Sequence, residues 1–122
     1  MTYTITHTGA WLSWNTLLSQ NRWQRSKLLA SWVPIYQKMF ADAQVQPMTH
    51  YRLDIRYWSR ADADNLVIKR LIDTLRSEKL VPNDDKRYFK GFSVTPDATL
   101  KHNTYVVTLT DLGTPAPLPP TT

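Results

Sequence analysis

The sequence predicts a small α+β protein with layered architecture, in which about four strands form a mixed sheet and two helices cover one of its faces. The chain has 122 residues, enough for one domain with a real core. Segments with alternating apolar and polar residues predict strands, and segments with apolar residues three or four positions apart predict helices. These segments follow in the order strand, helix, strand, helix, strand, strand. The uncovered sheet face would be a natural surface for dimerisation.

The first third of the chain predicts one strand, one long loop and one helix. Residues 2–8 alternate threonines with other residues, which is typical of a strand. Residues 9–25 are polar and aromatic and predict a loop. The apolar positions that follow have the spacing of one helix face: Leu28, Leu29, Trp32, Ile35, Tyr36, Met39 and Phe40. Pro34 lies on the polar side of this helix, where it either kinks the helix or sits in its first turn behind a Ser31 cap.

The middle of the chain predicts a second strand and a second helix. Residues 51–58 alternate apolar and polar side chains, as in a half-buried strand. The apolar residues between positions 66 and 75 have helical spacing, and we expect this helix to extend from about residue 65 to residue 79. Asp64 or Asn65 is well suited to cap its N-terminus.

The last third predicts two strands and a tail. Residues 87–94 and 103–109 have strand patterns, and we expect them to be antiparallel neighbours around the turn at 95–102. Residues 113–122 contain four of the eight prolines and no charge, which is typical of a disordered tail. The sequence therefore predicts one domain at 1–112 and a tail at 113–122.

Composition narrows the possible functions. The formal net charge is +5, which favours a polyanionic partner. There is no cysteine, so disulfides, thiolate catalysis and cysteine-ligated metal centres are excluded, and a cytoplasmic location is expected. The three histidines lack the spacing of zinc ligands. No signal peptide is recognisable at the N-terminus, and no apolar run approaches the length of a membrane span.

An acidic run lies between the second predicted strand and the second predicted helix. In an extended backbone, Asp62 and Asp64 project to the same side. Two carboxylates ~4 Å apart repel by roughly 4 kcal/mol at an effective dielectric of ~20, and a divalent cation between them reverses that sign. Asp85 in the later Asp84-Asp85 turn would join them if the third strand lies beside the second. Each acid alone has a structural explanation, as a cap, a solvated group or a turn residue. Together they predict a magnesium site.

Basic residues near the acidic run suggest contacts with phosphate. Lys69 and Arg70 follow it in the sequence and could bind the scissile phosphate, although pairing of either with Asp73 on a solvated helix face explains them equally. Trp14 and Trp23 are interleaved with basic residues, as in a surface that stacks bases and binds phosphates, although tryptophans also pack in cores. The predicted DNA contacts are Asn15, Arg22, Arg25, Lys27, Arg60, Arg70, Lys86 and Arg87.

At these residues the chain resembles the RusA family of Holliday junction resolvases. The likeness lies in the D-x-D-N run at 62–65, in Lys69 and Asp73, and in the Asp-Asp turn at 84–85. The opening strand and the polar loop with Asn15 are also similar. Lys69 lies five residues after Asp64, where the family usually has four, and the family's usual proline in the opening loop is absent.

The resemblance implies a homodimeric, magnesium-dependent endodeoxyribonuclease that resolves four-way DNA junctions, with Mn²⁺ as a substitute metal. By this likeness Asp62, Asp64 and Asp85 would hold the metal, and Lys69 would face the phosphate. These four residues are the predicted catalytic set. Two other hypotheses remain open from the sequence: a non-catalytic basic module that binds DNA, and a protein-interaction domain that uses its uncovered sheet face.

Overall fold

The computed structural model describes residues 1–113, which form a four-stranded mixed sheet with three helices. The elements are β1 (Thr2–Thr8), α1 (Trp14–Leu18), α2 (Arg22–Asp42), β2 (His50–Trp58), a 3₁₀ turn (Ala63–Asn65), α3 (Lys69–Ser77), β3 (Phe89–Pro96) and β4 (Thr104–Gly113). The predicted α+β class and the mixed sheet are confirmed. Only Gly113 of the predicted tail lies within the described residues, where it ends β4.

The strands are arranged in the order β1-β4-β2-β3, which corrects the predicted pairing of the last two strands. The strand β4 is antiparallel to both β1 and β2, whereas β3 is parallel to β2 and is not hydrogen-bonded to β4. The prediction assumed that strands close in sequence pair with each other. However, Tyr105, Val106 and Val107 are all buried, so β4 has apolar side chains on both faces, and this favours a central position.

The strand β3 lies beside β2, as the predicted acidic site required, but the pair is parallel, so the C-terminal end of β2 and the N-terminal end of β3 lie at opposite ends of the pair. Parallel neighbours need a crossover connection, which the 3₁₀ turn and α3 provide here. Tyr51 of β2 lies opposite Phe89 of β3, and Ile55 lies opposite Val94. Asp62 and Asp64 therefore follow the C-terminal end of β2, and α3 carries the chain back toward the end where Asp84 and Asp85 precede β3.

The core lies between one face of the sheet and the helices. Alternate side chains of β2 are at most 2% exposed and form its centre: Tyr51, Leu53, Ile55 and Tyr57. The helix α2 adds Trp32, Tyr36, Met39 and Phe40 to the core, and α3 adds Leu71, Ile72 and Leu75. Complete burial of each such side chain contributes about 1.5–3 kcal/mol before entropic costs. The opposite sheet face is open along β1, where Thr2, Thr4, Thr6 and Thr8 are exposed.

The helix α2 begins earlier than the apolar spacing predicted, and the predicted loop contains the short helix α1. The amide oxygen of Asn21 accepts from the backbone N–H of Gln24 at 2.9 Å, and the side chain of Gln24 accepts from the N–H of Asn21. This capping box fixes the start of α2 at Arg22. Pro34 therefore lies inside the helix rather than in its first turn, and it leaves the carbonyl of Ala30 without an N–H donor from residue 34.

The helix α3 begins later than predicted, and neither Asp64 nor Asn65 caps it. Leu66 has an extended backbone, and the side chains of both Leu66 and Val67 are buried in the core. Helical geometry at these two residues would turn them away from those positions, so α3 starts only at Lys69, without a side-chain cap. Within residues 1–113, no helix has both the length and the apolar character needed to span a membrane.

Candidate active site

Hydrogen bonds hold the segment before α1 against the segment that follows the acidic run. The indole N–H of Trp11 donates to the carbonyl of Val67 at 2.9 Å, and the N–H of Val67 donates to the carbonyl of Leu12 at 2.9 Å. Nearby, the side-chain oxygen of Asn65 accepts from the N–H of Asn15 at 3.0 Å. Part of the predicted polar loop is therefore placed next to the two aspartates.

Asp62 and Asp64 line one open pocket of about 450 Å³, together with Trp14, Asn15 and Asn65. The two aspartates thus lie at a common pocket, although Asp64 is in a 3₁₀ turn rather than in the extended chain that the prediction assumed. Burial, together with the negative charges of Asp62 and Asp64, raises the pKa of the Tyr57 hydroxyl. Both carboxylates therefore act on the same end of β2.

These two aspartates differ from every other acidic residue of the chain. Among the ten acidic side chains, the other eight accept a hydrogen bond or form an ion pair within the described residues. Asp62 and Asp64 have no such partner within residues 1–113. Two neighbouring carboxylates without a cation are electrostatically unfavourable, even though both are exposed to water. Their negative charges are therefore not offset by any cationic side chain within residues 1–113.

The structure does not bring Asp85 to the pocket of Asp62 and Asp64. Its carboxylate accepts from the Arg87 guanidinium at 2.8 Å and from the Arg87 backbone N–H at 2.9 Å. These hydrogen bonds hold the pKa of Asp85 below its usual value. In residues 1–113, no three aspartate, glutamate or histidine side chains form a metal-binding group. The predicted convergence of three carboxylates is therefore not seen here.

Asp84, rather than Asp85, faces the neighbourhood of the acidic pocket. Asp84 and Asp64 line the same groove, together with Lys69. The sequence could not distinguish between the two adjacent aspartates, because the conformation of the turn decides which carboxylate points into the groove. Asp84 is half-buried and is neutralised by its neighbours.

Lys69 lies between two carboxylates. Its ammonium nitrogen is 3.0 Å from an oxygen of Asp84 and 3.3 Å from an oxygen of Asp73, and Arg76 approaches Asp84 at 3.7 Å. The hydrogen bond to Asp84 is the main cause that raises the pKa of Lys69, and it also lowers the pKa of Asp84. The pairing with Asp73 that the sequence allowed is present. Lys69 is therefore firmly protonated and positioned beside the groove.

The groove between α3 and β3 has a volume of about 520 Å³ and mostly apolar walls. Its main apolar side chains are Trp14, Ile68, Ile72, Phe89, Phe92 and Val94. The rings of Phe89 and Phe92 are stacked, with centroids 6.3 Å apart and planes 9° apart. Trp14 is 43% exposed and Phe92 is 55% exposed. The aromatic character of this groove was not predicted, because a strand pattern alone does not show that Phe92 would remain open to solvent.

A smaller basic pocket of about 170 Å³ adjoins this groove. It is lined by Arg25, Lys69, Arg70 and Asp73, and Trp14 forms part of its wall. The Arg25 guanidinium donates to backbone carbonyls at the end of α1, so part of its hydrogen-bonding capacity is used in the fold. The Nε atom of Arg70 is buried without a partner within the described residues. Trp14 thus borders the acidic pocket, the apolar groove and the basic pocket.

The remaining predicted DNA contacts lie on the surface. Arg22, Lys27, Arg60, Lys86 and Arg87 are exposed. The ammonium of Lys27 lies 3.7 Å from the centre of the Trp23 ring, which is 65% exposed. The alternative that the tryptophans pack in the core therefore applies to Trp11 and Trp32 but not to Trp14 and Trp23. Arg87 is exposed but paired with Asp85.

No protein-family model and no curated protein matches this chain. The resemblance to the RusA family therefore rests on the short sequence motifs alone.

Proposed function

We propose that this chain is a magnesium-dependent endodeoxyribonuclease that cuts branched DNA, as its motifs suggest by their likeness to the RusA family of Holliday junction resolvases. One observation carries the proposal. Asp62 and Asp64 share an open pocket and, alone among the ten acidic side chains, have no protein partner within residues 1–113. Carboxylates in this arrangement suit a cation that is bound by the protein and by a substrate phosphate at the same time.

The donor set of the acidic pocket fits Mg²⁺. This ion prefers oxygen ligands, keeps several waters, and is usually held by one or two carboxylates together with substrate phosphates. Asp62 and Asp64 would hold it, and Asn15 offers a further polar side chain in the same pocket. A bound Mg²⁺ supplies Lewis acidity that lowers the pKa of water and stabilises charge on the leaving oxygen. Mn²⁺ has the same ligand preference and would substitute.

The positive charges around Trp14 give the DNA backbone its binding surface. Lys69 is fixed by Asp84 and Asp73 and lines the same groove as Asp64, so it would face a phosphate bound beside Asp64. Such a fixed cation stabilises charge that develops on the phosphate. Arg25 and Arg70 in the basic pocket would bind a neighbouring phosphate. Exposed Lys27 would contact the strand farther along.

The four-way junction is the proposed substrate, and a homodimer is the proposed active form. Each copy would cut one of two strands related by symmetry, which requires two acidic pockets facing one junction. The uncovered threonine-bearing sheet face leaves room for the second copy without blocking the pockets on the helical side. Such an enzyme would act in the cytoplasm, where a chain without cysteine is unaffected by the reducing conditions.

Substitution of Asp62→Asn tests this proposal. On a labelled four-way junction with Mg²⁺, we expect cleavage to fall by about 10²–10³-fold, the range seen when a key electrostatic contributor is removed. Binding in the presence of EDTA should remain, because the variant places less negative charge near phosphate. Asp42→Asn is the matched control, since Asp42 lies on α2 in an exposed pair with Lys38. Cleavage by the Asp62 variant at the level of the control would refute the assignment.

A second candidate is a basic DNA-binding module without catalysis. It is favoured by the absence of a three-carboxylate group in residues 1–113 and by the neutralisation of Asp84 by Lys69. The same junction assay separates the candidates. Binding with and without Mg²⁺ but no nicks in either condition would support the module. A lack of any salt-sensitive DNA binding would instead support the third hypothesis, a protein-interaction domain.

A further inference from the structure

The groove between α3 and β3 has the properties of a ligand site that the nuclease proposal leaves unexplained. It is the largest of the cavities described here, and its walls are mostly apolar. Trp14 and Phe92 line the groove and are each about half exposed to solvent, and the ring of Phe89 stacks against that of Phe92. A concave apolar site with a few polar groups is the usual form of a pocket for a small, flat ligand.

The charges at the groove select the kind of ligand. Asp64 faces the groove without a paired cation in the described part of the chain, and Asp84 is already paired with Lys69, so a phosphate group inside the groove would meet uncompensated negative charge. The only cation among the lining residues, Lys69, is already paired with Asp84 and Asp73. The ligand is therefore uncharged, planar and able to donate N–H groups to carboxylates. A nucleobase meets all three conditions, and bases stack on aromatic side chains irrespective of sequence.

The position of the groove links it to the acidic pocket. Trp14 and Asp64 line both cavities, so they share a wall. A nucleotide whose phosphate lies at Asp62 and Asp64 would have its base directed toward Trp14 and the stacked phenylalanines. A base inside a continuous duplex is paired and stacked on both sides, so its extrusion is costly, whereas a base at a branch point has a disrupted stack and enters the groove at lower cost.

We propose that this groove holds one unstacked nucleobase of the bound strand, next to the phosphate to be cut. The proposal rests on the proposed function for its substrate, and it names the feature of branched DNA that the protein recognises. Selection of branched over linear DNA then follows from the groove, because a base at a branch point leaves its stack at lower cost than a base inside a continuous duplex.

The proposal is tested by removing the base from the DNA and the Phe92 ring from the protein, separately and together. The probe is a branched DNA with one unpaired nucleotide at the branch point, compared with the same DNA carrying an abasic residue there. Binding is measured by fluorescence anisotropy in EDTA, so cleavage cannot interfere. We expect loss of the base to weaken binding to the unchanged protein by about five- to 150-fold, the range for one stacked base. For Phe92→Ala we expect little difference between the two DNAs.

Two further variants keep the test specific. Phe92→Leu retains an apolar side chain but no ring, and it should lose most of the difference even if Phe92→Ala folds poorly. Leu112→Ala is the control, since Leu112 is also exposed but lies at the end of β4 and does not line the groove. For this control we expect the same difference in affinity between the two DNAs as for the unchanged protein.

The possible outcomes test the groove assignment separately from the proposed nuclease activity. Equal binding of both DNAs by the unchanged protein would overturn the groove assignment. The assignment would also fail if removal of the base weakened binding by the same factor in the Phe92 variants and in the unchanged protein. If Phe92→Ala instead abolished dimerisation in sedimentation without changing base dependence, a second copy would be the occupant. Cleavage of the junction with Mg²⁺ together with no base dependence would refute the groove alone. Base dependence without cleavage would support the groove and refute the nuclease.

Discussion

The electrostatic partners of individual aspartates separate the acidic residues that shape the fold from those that are free for a ligand. Asp84 and Asp85 are adjacent in sequence, yet one pairs with Lys69 and the other with Arg87. Asp62 and Asp64 pair with neither lysine nor arginine within the described residues. Asp62 and Asp64 line one pocket, although the extended backbone from which the sequence predicted their common direction is replaced at Asp64 by a 3₁₀ turn. The sequence could not predict the partners of Asp84 and Asp85, which depend on side-chain orientation in a turn.

The pH dependence of Asp84 follows from its partner. Lys69 lowers the pKa of Asp84 below the usual 3.8, so this carboxylate binds protons more weakly when folded than when unfolded. Its stabilising effect is therefore present above about pH 4 and is lost as the pH falls through the lowered pKa. In Lys69→Gln we expect the Asp84 carboxyl carbon, followed by NMR, to titrate at higher pH. Lys38→Gln, in an exposed pair, should leave Asp84 unchanged, and an unchanged titration in Lys69→Gln would contradict the assignment.

At the scale of elements, patterns of side chains predicted which elements exist better than where they begin or pair. The positions of β1 and β2 were predicted closely, because a half-buried strand produces strict alternation. The start of α2 was missed, since Asn21 and Gln24 form a capping box ahead of the apolar face. The start of α3 was also missed, because burial of Leu66 and Val67 requires non-helical backbone there. The apolar residues Tyr105, Val106 and Val107 suit a central strand, but which strands β4 lies between depends on contacts distant in sequence.

The capping box at the start of α2 makes a measurable contribution to stability. In Asn21→Ala, the backbone N–H of Gln24 loses the acceptor that it contacts at 2.9 Å. We expect the free energy of unfolding in urea to fall by about 1 kcal/mol. Ser26→Ala is the control, because Ser26 is exposed inside the same helix and should change stability by only a few tenths of a kcal/mol. Equal effects of both substitutions would argue against the cap.

Pro34 inside α2 is a local weakness. It lacks the N–H that would bond to the carbonyl of Ala30, and its ring is disfavoured in the interior of a helix. We expect Pro34→Ala to raise the free energy of unfolding by about 1–3 kcal/mol, with part of the ~3 kcal/mol helix preference offset by the greater freedom of the unfolded chain. A lower thermal unfolding midpoint for Pro34→Ala than for the unchanged protein would contradict this prediction and show that α2 requires the backbone geometry imposed by the proline.

At the scale of the whole molecule, the net charge of +5 favours phosphate binding only through those cationic side chains that are not paired with aspartates. Lys38, Arg52, Arg56 and Arg87 are paired with aspartates. Lys27 instead lies over Trp23, where its charge stays available to a phosphate. The charge count in the sequence predicted a polyanionic partner, but only the structure shows which cations remain to contact it.

The salt dependence of DNA binding tests this distribution. Each phosphate contact contributes about 0.9 to the slope of log affinity against log salt concentration. We expect Lys27→Gln to reduce the slope by about one unit, measured by anisotropy on a junction over a series of NaCl concentrations. Lys38→Gln on the same helix should leave the slope unchanged, because Lys38 is paired with Asp42. Equal slopes for Lys27→Gln and the unchanged protein would place the DNA elsewhere.

The hydrogen bonds that join the segment around Trp11 and Asn15 to Val67 and Asn65 connect residues 56 and 50 positions apart in the chain. Closing loops of that length is entropically costly, so these bonds form only when the surrounding layers are in place. We therefore expect the pocket of Asp62 and Asp64 to assemble late in folding, after the sheet and helices that hold the two segments together.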